Sequence, residues 1–187
     1  MVKLKRISTN EHLYLWATEQ LSVSFPPCER RDDDLQRAVM LHPDYRLCAI
    51  TDDGVPVGVV GYFDAPEFIY FENFCVSPDR RNGGYGSKAL QILTSCNKPF
   101  ILEIEPPEDE LTRRRLAFYQ RNGMVVNPYP HIQPHYRMDD PDLPLVVLSY
   151  GKQITQAQYD AFRCYLDANV DVKGGNQLKM NNIEQNR

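Results

Sequence analysis

Apolar positions along the chain switch several times between helical and strand spacing, and the switches fall at turn residues. Residues 3–8, KLKRIS, alternate and predict a first strand. In 9–25, Leu13, Trp16, Ala17 and Leu21 recur at steps of one, three and four behind Asn10, a suitable cap, so the spacing predicts a helix. Residues 32–42 repeat the pattern with Leu35, Ala38, Val39 and His42 after three aspartates, which suit the positive end of a helix dipole. From 45 to 76 the pattern is that of a three-stranded antiparallel meander, broken at Asp53-Gly54 and at Asp64-Ala65-Pro66. Its last member, FIYFENFCV (68–76), is apolar at nearly every position, as expected of a strand covered on both faces.

A helix with Tyr85, Ala89, Ile92, Leu93 and Cys96 on one side then leads into the strand PFILEIE (99–105). Strand, crossover helix, strand predicts two parallel neighbours. Acids at its start and Asn122-Gly123 at its end bracket a helix over 109–123. MVV (124–126) and LPLVVLSY (143–150) supply strands on either side of a proline-rich loop, and 155–169 predicts a terminal helix. Residues 1–172 read as a single domain, and the polar, amide-rich 173–187 as a disordered tail.

Composition narrows the class. With 42% hydrophobic and 25% charged residues, the 187-residue chain is that of an ordinary globular protein. No apolar run approaches the roughly 18 residues of a membrane span, and the start lacks the apolar stretch of a signal peptide, so a cytoplasmic protein without membrane partners is expected. A net charge of −4 gives no general attraction to nucleic acid and mildly favours a cationic substrate. Cys28, Cys48, Cys75, Cys96 and Cys164 are odd in number and widely spaced, which reads as reduced thiols.

The densest chemical signal is RRNGGYGSKAL at 80–90. Glycines crowded where a helix should begin are destabilising unless the backbone there has a task. Bare N–H groups at a helix N-terminus, beside Arg80 and Arg81, would form an anion site; the alternative is a flexible turn with solvated arginines. The stretch fails the Walker A pattern, since Ser87 precedes Lys88. Gly84-x-Gly86-x-x-Ala89 satisfies the dinucleotide fingerprint literally, with Glu103 and Glu105 downstream, so a nicotinamide oxidoreductase is an alternative. Against it, SPDRRNG separates the glycines from the preceding strand, and antiparallel hairpins precede that strand.

The segment NFCVSPDRRNGGYGSKAL resembles motif A of the GNAT superfamily of N-acetyltransferases, with Arg81, Gly84 and Gly86 in the signature and Val76 and Pro78 in the approach. The element order extends the resemblance over roughly residues 3–150. It implies an α+β fold with a mixed central sheet of about seven strands flanked by helices, here with an extra C-terminal helix, and a possible homodimer. It also implies acetyl coenzyme A as co-substrate. Its pyrophosphate would lie on Arg81, Asn82, Gly83, Gly84, Tyr85, Gly86 and Ser87, and its thioester would meet an amide of Cys75 or Val76 where two parallel strands part.

Acetyl transfer to an amine needs a neutral amine, a polarised carbonyl and a proton for the departing thiolate. Glu72 is the acidic side chain inside FIYFENFCV, a candidate base acting directly or through water, or else a structural glutamate bonded to a neighbouring element. FYQRNGM resembles the family's aromatic-Tyr-x-x-x-Gly-Phe segment, which implies Tyr119 as the proton donor. Met124 in place of phenylalanine, and Thr112 and Arg115 on the same helix, depart from that pattern. Tyr129, His131, His135 and Tyr136 are expected to line an amine pocket, solvated loop residues being the alternative. The HIQPH spacing has no third ligand in reach, so no metal is expected. The expectation is an N-acetyltransferase for a small primary amine, with a non-catalytic acetyl coenzyme A sensor as a further alternative.

Overall fold

The computed structural model describes residues 1–10, 12–95 and 98–173. Cys96 and all but the first residue of the expected tail lie outside these. Antiparallel pairing joins β1 (Val2–Arg6), β2 (Tyr45–Asp52), β3 (Val55–Asp64) and β4 (Ile69–Val76). The reversal at Asp53-Gly54 has both residues at positive φ, 46° and 85°, as a tight hairpin turn requires. β4 then pairs in parallel with β5 (Phe100–Ile104), the crossover being α3 (Tyr85–Thr94). Beyond β5 lie β8 (Pro144–Tyr150) and β6 (Met124–Val126), and β7 (His131–Ile132) pairs with β8 off the main path, giving an eight-stranded mixed sheet. The short β7 lies inside what reads from sequence as an unbroken loop.

Two cores flank the sheet. On one face Tyr14, Ala17 and Leu21 of α1 (His12–Ser24), Val39 of α2 (Asp33–Val39) and Phe162 and Leu166 of α5 (Gln156–Asn169) pack on Leu47, Val59, Phe63 and Tyr70. On the other, Ala89, Leu90 and Leu93 of α3 and Tyr119 of α4 (Glu110–Arg121) pack on Ile50, Val60, Phe71 and Leu102.

The helices sit where the spacing puts them, but the buried faces of α1, α2 and α3 differ slightly from the expected ones. Tyr14 is the fully buried member of α1, while Leu13 and Trp16 pack at its edge. Leu90 replaces Ile92 on α3, Ile92 being 38% exposed. α2 ends at Val39, so His42 lies beyond it, buried edge-on against Phe63. Thr112 closes a capping box with Asp109 at the start of α4, so its departure from the family pattern has a local structural cause. Among the described residues no helix is long and apolar enough to cross a membrane.

Candidate active site

The cleft arises from a failure of pairing. β4 and β5 are bonded through Ile69–Phe100, Tyr70–Ile101 and Phe71–Leu102, and there the pairing stops, although β4 continues to Val76 and β5 to Ile104. At the same point β4 carries a bulge: Phe71 and Asn73 oppose Tyr62 and Gly61 of β3, leaving Glu72 as the extra residue. A bulge shifts the alternation of the strand by one residue. Before it, Ile69 donates its N–H to Pro99 on the β5 side; after it, Ser77 donates to Val57 on the β3 side. Counting back by twos, Cys75 shares the direction of Ser77, and the amides of Phe74 and Val76 turn into the gap. Of the two amides expected to meet a thioester, the alternation therefore selects that of Val76 and assigns that of Cys75 to the sheet.

The gap is a cleft of about 200 Å³ whose walls include Glu72, Cys75, Val76, Arg81, Glu103 and Tyr119. At one end is the glycine loop. Residues 81–84 are exposed, Gly84 caps α3 at φ 73° without a side-chain bond, and the first backbone bond of the helix is Lys88 N–H to the Gly84 carbonyl. The N–H groups of Tyr85, Gly86 and Ser87 are thus spared from the helix ladder, as an N-terminal anion site requires. Asn82 is also left-handed at φ 66°. Gly84 has open space around a would-be Cβ, so its conformation alone calls for glycine. Gly86 differs: a Cβ there would come within 3.0 Å of the Phe118 ring, so its bareness lets α3 close on α4. The Arg81 side chain bends to the Val76 carbonyl at 3.4 Å, on the wall of the cleft. Tyr85 reaches Asp52 at 3.4 Å, with Lys88 over its ring.

The two sequence-derived catalytic candidates do meet at this cleft, in different states. Tyr119 is buried on α4, its hydroxyl makes no hydrogen bond among the described residues, and burial pushes its phenol up to about 12. Glu72 is not a lone carboxylate. Arg31 donates to it at 2.6 Å, the Tyr136 hydroxyl donates at 3.2 Å, and the Arg31 and Glu72 side chains are 6% and 0% exposed. The guanidinium lies 4.5 Å from the centre of the Tyr136 ring. Burial works against the Arg31 charge, but the Glu72 carboxylate together with Tyr136 and Tyr45 more than offsets it and holds the guanidinium above its ordinary range. Arg31 comes from the segment before α2, 41 residues away in sequence, and nothing local marks it as a partner.

The loop residues expected to line an amine pocket are buried or half-buried behind the cleft and are not among its walls. Tyr129 donates to the Ile154 carbonyl and stacks on Tyr159. His135 bridges Asp142 and Asp171, pinning the loop to the end of α5. Tyr136 and His131 reach the cleft through one intermediary each, Glu72 and Glu103 respectively. The expected substrate-lining loop is thus a supporting layer, because its aromatic and imidazole groups have buried partners. Glu103, on β5, is a second carboxylate on the cleft wall, and its sequence signal is an acid inside the apolar run FILEI, the same signal that marks Glu72.

The acetyltransferase (GNAT) family model matches residues 10–124. A GNAT-family protein of Bacteroides thetaiotaomicron is 33% identical, superposes with a TM-score of 0.83, and the match covers 90% of this chain and 97% of that one. YjbC of Bacillus subtilis (strain 168), classed as an acetyltransferase, is 38% identical over 65 residues, so the match spans only 34% of each chain. A GNAT acetyltransferase of Elizabethkingia anophelis, solved with acetyl-CoA bound, shares the fold at a TM-score of 0.55 and 13% identity, over 80% of this chain and 97% of that one. The chain belongs to the GNAT acetyltransferase family, and its class is that of an acyltransferase. The dinucleotide fingerprint at Gly84–Ala89 is coincidental: an antiparallel meander precedes it, where a dinucleotide half would need further parallel strands.

Proposed function

We propose that the protein transfers the acetyl group of acetyl coenzyme A to a primary amine of a small molecule by direct attack in a ternary complex. The observation that carries this reading is the cleft where β4 and β5 part: Arg81, at the head of the loop whose bare amides start α3, forms one wall, with Phe74, Val76, Tyr119 and Glu103 along the others. The pyrophosphate lies on the 81–87 loop, with Arg81 adding charge. The pantetheine arm follows the parted strands, and the Val76 amide polarises the thioester carbonyl.

Glu103 accepts a proton from the ammonium, and the neutral amine attacks the acetyl carbon. The C–N bond forms and the C–S bond breaks. The departing thiolate takes a proton across the hydrogen bond from Tyr119, which the second proton of the nitrogen replaces, so one proton is released per turnover. A phenol near 12 is a weak acid toward a thiol of about 8.5, but the cleft desolvates the thiolate too and narrows that gap. Glu72, engaged by Arg31, orients the bulge that turns the amides inward.

Thiol release from acetyl coenzyme A across a panel of polyamines, aminoglycosides, amino acids and peptides tests the reading. Amine-dependent release supports it. Binding of acetyl coenzyme A by calorimetry without release from any amine would assign the protein a sensing role instead.

A further inference from the structure

Proton counting behind the cleft yields a further assignment, which rests on the acetyl-transfer reading. The Tyr159 hydroxyl donates to the Pro130 carbonyl at 2.6 Å. A phenol has one proton, so toward His131 Nδ1, 3.1 Å away, that oxygen can only accept. Nδ1 therefore carries a hydrogen. The other ring nitrogen, Nε2, is in contact with Glu103 Oε1. A bare imidazole lone pair and a carboxylate oxygen do not approach each other without a proton between them, so one proton lies in this contact. The second carboxylate oxygen, Oε2, accepts from the Tyr70 hydroxyl at 2.9 Å. The His131 and Glu103 side chains are 0% and 7% exposed, and Phe162 stacks on the imidazole at 5.8 Å, so the ring cannot turn freely.

Among the described residues, the groups around this pair are Tyr70 from β4, Tyr136 from the loop and Tyr159 from α5; Glu72, held by Arg31, acts on the same Tyr70 and Tyr136, and Arg163, Asp160 and Asp167 lie farther out around Tyr159. Tyr70 and Tyr159 have their protons committed, to Glu103 and to Pro130.

We propose that His131 is a positioning residue that makes Glu103 the proton acceptor of the reaction, the two sharing a single exchangeable proton between Oε1 and Nε2. The structure shows the pair with its proton in place; that proton passes to solvent before an amine binds, which leaves the lone pairs of Oε1 and Nε2 to receive the next one. The ammonium of the acceptor supplies it: an N–H bond breaks at the substrate, and the proton comes to rest between oxygen and imidazole. The free amine then attacks. The proton leaves to solvent after the product does, and nothing is oxidised or reduced. Tyr159 fixes the tautomer that leaves Nε2 pointing at Glu103.

The test joins spectroscopy to kinetics on the full chain. Histidine ring-nitrogen NMR of 15N-labelled protein, with the signal assigned by its loss in His131→Gln, should show a protonated Nδ1 whose titration changes in Glu103→Gln. An Nε2-protonated tautomer with bare Nδ1, or a titration indifferent to Glu103→Gln, would overturn the assignment. In turnover, His131→Gln should lower kcat about 10- to 100-fold, leave the KM of acetyl coenzyme A within about twofold, and displace the acid limb of the pH profile. Should His131→Gln fail to fold by near-UV circular dichroism, Tyr159→Phe should show the same displaced limb with a smaller loss. Wild-type kcat and pH profile in the folded variant would refute the role. If no amine elicits thiol release, the acetyl-transfer reading fails, and the NMR result still decides the proton.

Discussion

Replacing Arg31 with methionine distinguishes a structural Glu72 from a catalytic one. The pair is almost fully buried, with the guanidinium 2.6 Å from the carboxylate and stacked on Tyr136. Removing one partner of such a pair leaves an uncompensated buried charge, which costs about 3–5 kcal/mol. That is a large share of the roughly 5–15 kcal/mol by which a domain is stable. For a chain of 187 residues, at about 2–4 °C per kcal/mol, it corresponds to a fall in Tm of about 6–20 °C. Replacing both partners, Arg31→Met with Glu72→Leu, removes the desolvation cost along with the attraction and should restore stability to within about 2 kcal/mol of the parent. Urea unfolding followed by far-UV circular dichroism gives the three free energies, and thiol release gives the turnover. Since Glu72 is read as an anchor of the bulge, the double variant should keep turnover within about tenfold. A double variant that is stable but inactive by about 100-fold or more would restore Glu72 as the base. A cost below about 1 kcal/mol for Arg31→Met alone would refute the buried-pair reasoning.

Other outcomes follow from the same geometry. Tyr119→Phe should lower kcat by about 100-fold while leaving acetyl coenzyme A affinity by calorimetry nearly unchanged, since the phenol contributes only as the thiolate departs. Because the Tyr119 phenol is pushed up to about 12, above the ordinary value near 10, it keeps its proton until pH rises toward that range. The kcat profile should therefore show no fall due to Tyr119 between pH 7 and 10. Gly84→Ala should cost about 1–2 kcal/mol in urea unfolding, because its φ of 73° is left-handed although nothing crowds a Cβ there. Arg81→Ala should weaken acetyl coenzyme A binding about tenfold, an effect that diminishes as salt is raised.

Periodicity recovered the element order almost throughout, because each helix and strand must bury a stripe of fixed period against the sheet. It erred by one position on α3, where Leu90 is buried and Ile92 exposed, since stripe width is set by the neighbours packed on it. The glycine loop was legible for a local reason: uncapped amides at a helix start depend on adjacent residues. Gly86 carried a second meaning that was not legible, because the Phe118 ring it accommodates arrives from a different helix.

Residue order also placed a carboxylate in each of the two central strands, Glu72 and Glu103, and left their roles undecided. What separates those roles is the partner each meets, and both partners come from distant segments. Arg31 crosses 41 residues to reach Glu72, and His131 crosses 28 to reach Glu103. A strand's spacing shows that an acid is buried, because alternation is a property of the backbone itself. Whether that acid is neutralised by a guanidinium or shares a proton with an imidazole depends on which side chains the fold brings within hydrogen-bond reach, and only the tertiary arrangement sets that.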